Sequence, residues 1–140
     1  MKPLLAVCLW SSLAFADLNW VMSEPNLEKR SDRALENADE AVGEARKSYR
    51  AQDMKAFATA LKEVRDSVEL SYKSLQESGK AARRSPKYFK RADARLRELA
   101  KKLDNLEKDV MMDERTEVTA LKKRVDELDE QVVLDIMTKK

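Results

Sequence analysis

Histidine is absent from the 140-residue chain. With it go the commonest general base, the commonest metal ligand and the usual switch near neutral pH. Glycine is nearly absent too: Gly43 and Gly79 are the only two. No loop can therefore draw several backbone N–H groups closely around a phosphate, and the chain holds no GxGxxG, GxxxxGK[ST], GxSxG or EF-hand pattern. A di-iron bundle would need Glu-x-x-His pairs, and haem would need Cys-x-x-Cys-His or an axial histidine. None is present, so the sequence points away from an enzyme and away from any metal or cofactor. The one cysteine is Cys8.

The first sixteen residues read as a secretory signal peptide. Lys2 supplies a short positive region, Leu4 to Leu13 an apolar run, and Ala14-Phe15-Ala16 an A-x-A cleavage site before Asp17. The apolar run is too short to cross a bilayer. Cleavage is expected after Ala16, which places the protein in the periplasm or outside the cell and removes Cys8. The exported chain would then have neither a disulfide nor a reactive thiol. Processing as a lipoprotein at Cys8 is the weaker alternative, because Val7 is bulkier than the small residue that such processing favours.

Four segments beyond the signal carry helical spacing, and none alternates as a strand would. After a lead at residues 17–23, the first predicted helix covers about 24–50, with Ser23 as cap and Pro25 in the first turn. Its apolar face is rich in alanine: Ala34, Ala38, Ala41 and Ala45. The second covers about 54–78, capped by Asp53 and stopped by Gly79. The third, about 86–111, opens at Ser85-Pro86 and carries Phe89, Ala92, Leu96, Leu99, Leu103, Leu106 and Val110. The fourth, about 114–137, carries Val118, Leu121, Val125, Leu128, Val132 and Ile136, and both of these last lines are heptad seams. Met111-Met112, at the end of the seam, reads as core filler rather than as a soft metal site. Trp20 would cover one end of the helices. Short connectors predict antiparallel neighbours in succession, hence an all-α, up-down-up-down four-helix bundle over 24–140. The alternative is a pair of helical hairpins that assemble by dimerisation, so a monomer and a homodimer both remain open.

Charge balances over the exported chain but sits in blocks. Residues 17–79 hold 10 basic and 13 acidic side chains, residues 80–102 hold 10 and 2, and residues 103–140 hold 7 and 11. Arg83, Arg84, Lys87, Lys90 and Arg91 crowd the start of the third predicted helix. Cations there oppose the helix dipole, which gives them a reason to meet an anion instead. Lipid head groups, acidic envelope polymers or an acidic protein surface suit an exported protein; nucleic acid suits that address less well. Pairing within the chain competes with this reading. If the third and fourth helices are antiparallel, residues whose numbers sum to about 226 lie level. Lys90 then meets Asp135, Arg95 meets Glu130, Arg97 meets Asp129, and Asp104 and Glu107 meet Lys122 and Lys123. Arg83 and Arg84, in the connector, escape that scheme.

The segment Arg83 to Glu107 (RRSPKYFKRADARLRELAKKLDNLE) and the closing Asp135 to Lys140 (DIMTKK) resemble a group of small exported all-helical bacterial proteins of no assigned role. The resemblance implies export and helical structure and supplies no functional residue. The repeated Leu-Thr-x-x-Gln motif of the Spy-like periplasmic chaperones is missing. The sequence thus predicts a non-enzymatic exported protein that binds an envelope component or partner protein. The alternatives are a periplasmic chaperone or stress protein, and an anionic-surface binder that uses the basic pole from Arg83 to Arg91.

Overall fold

A computed structural model describes residues 17–79, 82, 84 and 86–138. The signal segment, Arg83, the expected cap Ser85, Lys139 and Lys140 lie outside the described residues. Five helices account for the described fold: α1 (Leu18–Met22), α2 (Leu27–Arg50), α3 (Met54–Glu77), α4 (Pro86–Asp109) and α5 (Met112–Met137). There is no strand among the described residues, and no helix there is long and apolar enough to cross a membrane.

Local chemistry sets the ends. Asp53 accepts the Ala56 N–H at 3.0 Å and caps α3, while Gly79 beyond its far end adopts a left-handed φ of 65°. Only glycine takes that conformation without a Cβ clash. The cap of α2 is Asn26, which accepts the Lys29 N–H at 3.0 Å, and not Ser23. Ser23 instead closes α1 and donates its hydroxyl to the Trp20 carbonyl. Pro25 therefore lies between two helices rather than inside the first turn of one. The lead at 17–23 is mostly α1, which folds back along α2 and α3 with Val21 buried. Trp20 stays exposed on this flank with the Arg33 guanidinium 5.0 Å above its ring, so it does not cover an end.

The core is one continuous apolar cluster drawn from α2, α3, α4 and α5, joined by Ala82 of the connector. Ala34, Ala38, Ala41 and Ala45 are fully buried, and their small side chains let α2 and α3 approach closely. Most of the buried polar groups on this interface are paired, as burial requires, the Ser74 hydroxyl being an exception without a hydrogen-bond partner among the described residues. The Ser31 and Ser71 hydroxyls lie 2.8 Å apart. Asn37 Nδ2 donates to Ser67 Oγ and to Glu63 Oε1, both at 2.9 Å. That same Glu63 oxygen accepts the Leu18 N–H at 3.0 Å, which pins α1 to the α2–α3 hairpin. The predicted seam of α4 and α5 is also buried, at Leu96, Leu99, Leu103, Leu121, Val125 and Leu128.

The four long helices pair as two hairpins, and only within a hairpin do chain-order neighbours pack side by side. Across α2 and α3, and across α4 and α5, partner numbers run in opposite senses, so each pair is an antiparallel hairpin. Between hairpins they rise together. Asp32 meets Arg91 and Arg95 while Asp39 meets Lys102, so α2 and α4 are parallel. Glu69 meets Arg124 and Gln76 meets Asp135, so α3 and α5 are parallel. The expected contact between successive helices is therefore replaced at α3 and α4, which meet only narrowly across the diagonal. The connector explains how. Eight residues separate Glu77 from Pro86. Their extended reach of roughly 25 Å exceeds a diagonal of about 14 Å between helices packed 10 Å apart.

Candidate functional site

Proline opens α4, where its missing N–H costs no hydrogen bond and its fixed φ suits the first turn. Basic side chains follow at Lys87, Lys90 and Arg91, and the first turn holds no acidic residue. Phe89 between them is buried and anchors the turn to the core, while Ala82 anchors the connector just before it. Arg84, Lys87 and Lys90 are exposed. The Lys87 ammonium sits 5.5 Å from the centroid of the Tyr88 ring, a cation–π contact within its own turn.

Arg91 is drawn away from this group. It reaches Asp32 of α2 at 3.0 Å, as does Arg95 at 3.1 Å, and Arg95 also reaches Glu36 at 3.3 Å. The expected partners on α5 are thus corrected for two cations. Arg95 turns to α2 instead of Glu130, because α2 lies beside α4 and brings Asp32, Glu36 and Asp39 to the seam. Lys90 does not meet Asp135, whose carboxylate accepts from Gln76 of α3 at 2.8 Å. Farther along the α4–α5 hairpin the expected level pairs do form. Arg97 comes within 3.6 Å of Asp129, and Lys122 within 2.8 Å of Asp104. Glu107 accepts from Thr119 at 2.8 Å rather than from a lysine. Hydrogen bonds from Lys122 and Lys108 pull the Asp104 carboxyl down to about 2, and the same contact raises the Lys122 ammonium.

The pairings divide the cations of this region cleanly. Arg91, Arg95, Arg97, Lys101, Lys102 and Lys108 all have a carboxylate partner. Arg84, Lys87 and Lys90 have none among the described residues. Of the five cations singled out by the sequence, three remain available at one edge, Arg91 is spoken for, and Arg83 lies outside the described residues.

Two features escaped sequence reasoning. Asp93 and Asp129 face each other across α4 and α5 with one buried oxygen each, Oδ1, that lacks a hydrogen-bond partner. Arg97 approaches Asp93 Oδ1 at 2.8 Å, but the contact lacks hydrogen-bond geometry. Burial first, then the hydrogen bond and charge of Asp93, push the Asp129 carboxyl up to about 7 against the pull of Arg97. The level rule that pairs Arg97 with Asp129 also brings Asp93, one turn back on the same face, beside that carboxylate. The second feature is the exposure of Met111, just before α5, and Met112, its first residue, at 73% and 80%. They are not core filler, because the seam already ends at Val110.

Compared with known protein families, curated proteins and solved structures, the chain matches none.

Proposed function

We propose that the protein is a non-enzymatic, exported bundle of four long helices that works by binding, and that Arg84, Lys87 and Lys90 form its contact with an anionic envelope surface. One observation carries this reading: along α4 every other cation is matched to a carboxylate, while these three are exposed and unmatched among the described residues. Cations at the opening of a helix repel its dipole, and an external anion relieves that repulsion. The signal-like segment from Met1 to Ala16 supports the envelope as the setting. An alternating direction in α2, α3, α4 and α5 supports the four-helix reading. A chaperone would present an apolar concave face. The exposed apolar side chains here are instead Met54, Met111 and Met112 near one end and Leu134 and Met137 near the other, with Trp20 and Met22 on the flank.

The test uses vesicles of phosphatidylglycerol mixed with phosphatidylcholine, against phosphatidylcholine alone. The protein should bind the anionic vesicles at low salt and release them as ionic strength passes about 0.15 M, where the Debye length falls to about 8 Å. A variant with Arg84→Glu, Lys87→Glu and Lys90→Glu should bind about tenfold more weakly or less. A control of equal charge change, Lys62→Glu, Lys101→Glu and Lys123→Glu, should lose much less. Equal loss in both variants, or no binding to anionic vesicles, would remove the basic edge as a site.

A further inference from the structure

The parallel seam of α2 and α4 carries a ladder of charge with a seven-residue step. Asp32 pairs with Arg95 and Asp39 with Lys102, each at the same separation along the chain. The next rung at that separation is Arg46 with Asp109. Its sign is inverted, and it does not close: neither Arg46 nor Asp109 has an ion-pair partner among the described residues. A cleft of about 680 Å³ opens there instead.

Tyr49 lines the gap. Its hydroxyl accepts the Met111 N–H at 2.8 Å, and its ring packs on Phe57 with centroids 5.4 Å apart. The side chain thereby bridges the last turn of α2 and the turn between α4 and α5 beside the cleft. Gln52 at the rim takes a left-handed φ of 59°, a conformation that a residue with a Cβ adopts at a cost.

The walls of the cleft differ in chemistry. Arg46 and Arg50, four residues apart, share one face of α2 and can together grip a carboxylate. Asp109 and Glu114 line the other wall and suit an ammonium group. Arg115 already donates to the Glu107 and Val110 carbonyls at the end of α4, so the carboxylates are what remain for an incoming cation. Leu106 lies buried beneath the cleft and the exposed Met54 and Met111 line it, thioethers that adapt to varied apolar shapes. The volume is within the usual range for a small-molecule site.

We propose that this cleft, at the end of the molecule opposite the basic edge, binds an apolar zwitterion: an amino acid or short peptide with free termini and an apolar side chain. Its carboxylate meets Arg46 and Arg50, its ammonium meets Asp109 and Glu114, and its side chain covers Leu106 and the two methionines. A ligand of this kind closes the open rung of the ladder through its own charges. Each further residue moves the termini about 3.5 Å apart, so the gap between the walls selects the length.

The experiment titrates the isotope-labelled full chain with leucine, Leu-Leu, Gly-Gly and N-acetyl-Leu-Leu-amide, and follows backbone amide shifts. Saturable shifts at Arg50, Gln52 and Met111 are expected with leucine or Leu-Leu, and the stronger of these two identifies the source. Gly-Gly, without the apolar part, and the doubly capped peptide should each bind about tenfold more weakly. Arg46→Gln and Asp109→Asn should each weaken binding of the better ligand by a similar factor while leaving the thermal midpoint unchanged. Asp109→Asn should not weaken binding of N-acetyl-Leu-Leu, which has no ammonium to lose. Arg50→Gln replaces Arg46→Gln in the test if that variant does not fold. No shifts at millimolar ligand, shifts centred elsewhere, or equal affinity for free and capped peptide would overturn the assignment.

Discussion

Asp129 is the residue at which the fold does most to the chemistry of a single side chain. Its carboxyl rises from an ordinary 3.8 to about 7 because burial and the facing Asp93 both disfavour the anion. A folded-state value above the unfolded one means that folding takes up a proton. The contribution is therefore most favourable below about pH 4 and is lost as pH climbs through 7. Asp104 works in the other direction and in another window. Its lowered carboxyl contributes stability above its unfolded value and loses it only as pH falls towards 2. Asp129→Asn should thus raise the thermal midpoint most at pH 8, clearly less at pH 5, and hardly at all below pH 4. Solvent still reaches the pair, whose side chains are 23% and 18% exposed. Screening reduces the gain to about 1 kcal/mol, a few degrees for a domain of this size. Melting curves of both proteins at these pH values check this. An equal shift at pH 5 and pH 8 would mean that the carboxylate repulsion is not the cause.

At the scale of elements, the spacing of apolar residues made the long helices legible. Leu96, Leu99 and Leu103 recur at steps of three and four and are all buried, as are Leu121, Val125 and Leu128 across the hairpin. Leu99→Ala should cost about 2–5 kcal/mol in denaturant unfolding, the range for an unfilled cavity in a packed core. Ala41→Leu should cost about 1–3 kcal/mol for the opposite reason, since the close approach of α2 and α3 leaves no room for a larger side chain. A loss below about 0.5 kcal/mol at Leu99 would mean that the seam faces solvent. The helix α1 was not legible because five residues are too few to show a period, and its placement depends on one distant acceptor, Glu63. The basic cluster was legible in composition, but the fate of its members was not. Arg91 and Lys90 are adjacent in sequence. One faces α2 and finds Asp32, and the other faces the side where Gln76 has taken Asp135.

Which helix lies beside which could not be read from the seams, because the same leucines are buried in either arrangement. The charges could have decided it, but acidic residues flank α4 on both candidate neighbours. Pairing Arg95 with Glu130 of α5 and pairing it with Asp32 of α2 satisfy the sequence equally well. Only the packing of the two hairpins separates them, and it brings α2 and α4 together in parallel. The two pairings predict different mutants. Asp32 is 15% exposed and meets both Arg91 and Arg95, so Asp32→Lys replaces two attractions by two repulsions at a half-buried site. A loss of about 1–2 kcal/mol is expected, more than for an isolated surface pair. Glu130→Lys, by contrast, should change stability by less than about 0.5 kcal/mol, as for an exposed site without a special contact. Adding Arg95→Glu to Asp32→Lys should recover part of the loss, which a double-mutant cycle in urea measures. If Glu130→Lys is the costly change and Arg95→Glu rescues it instead, α4 leans on α5 through this charge, and the parallel docking of the hairpins is wrong.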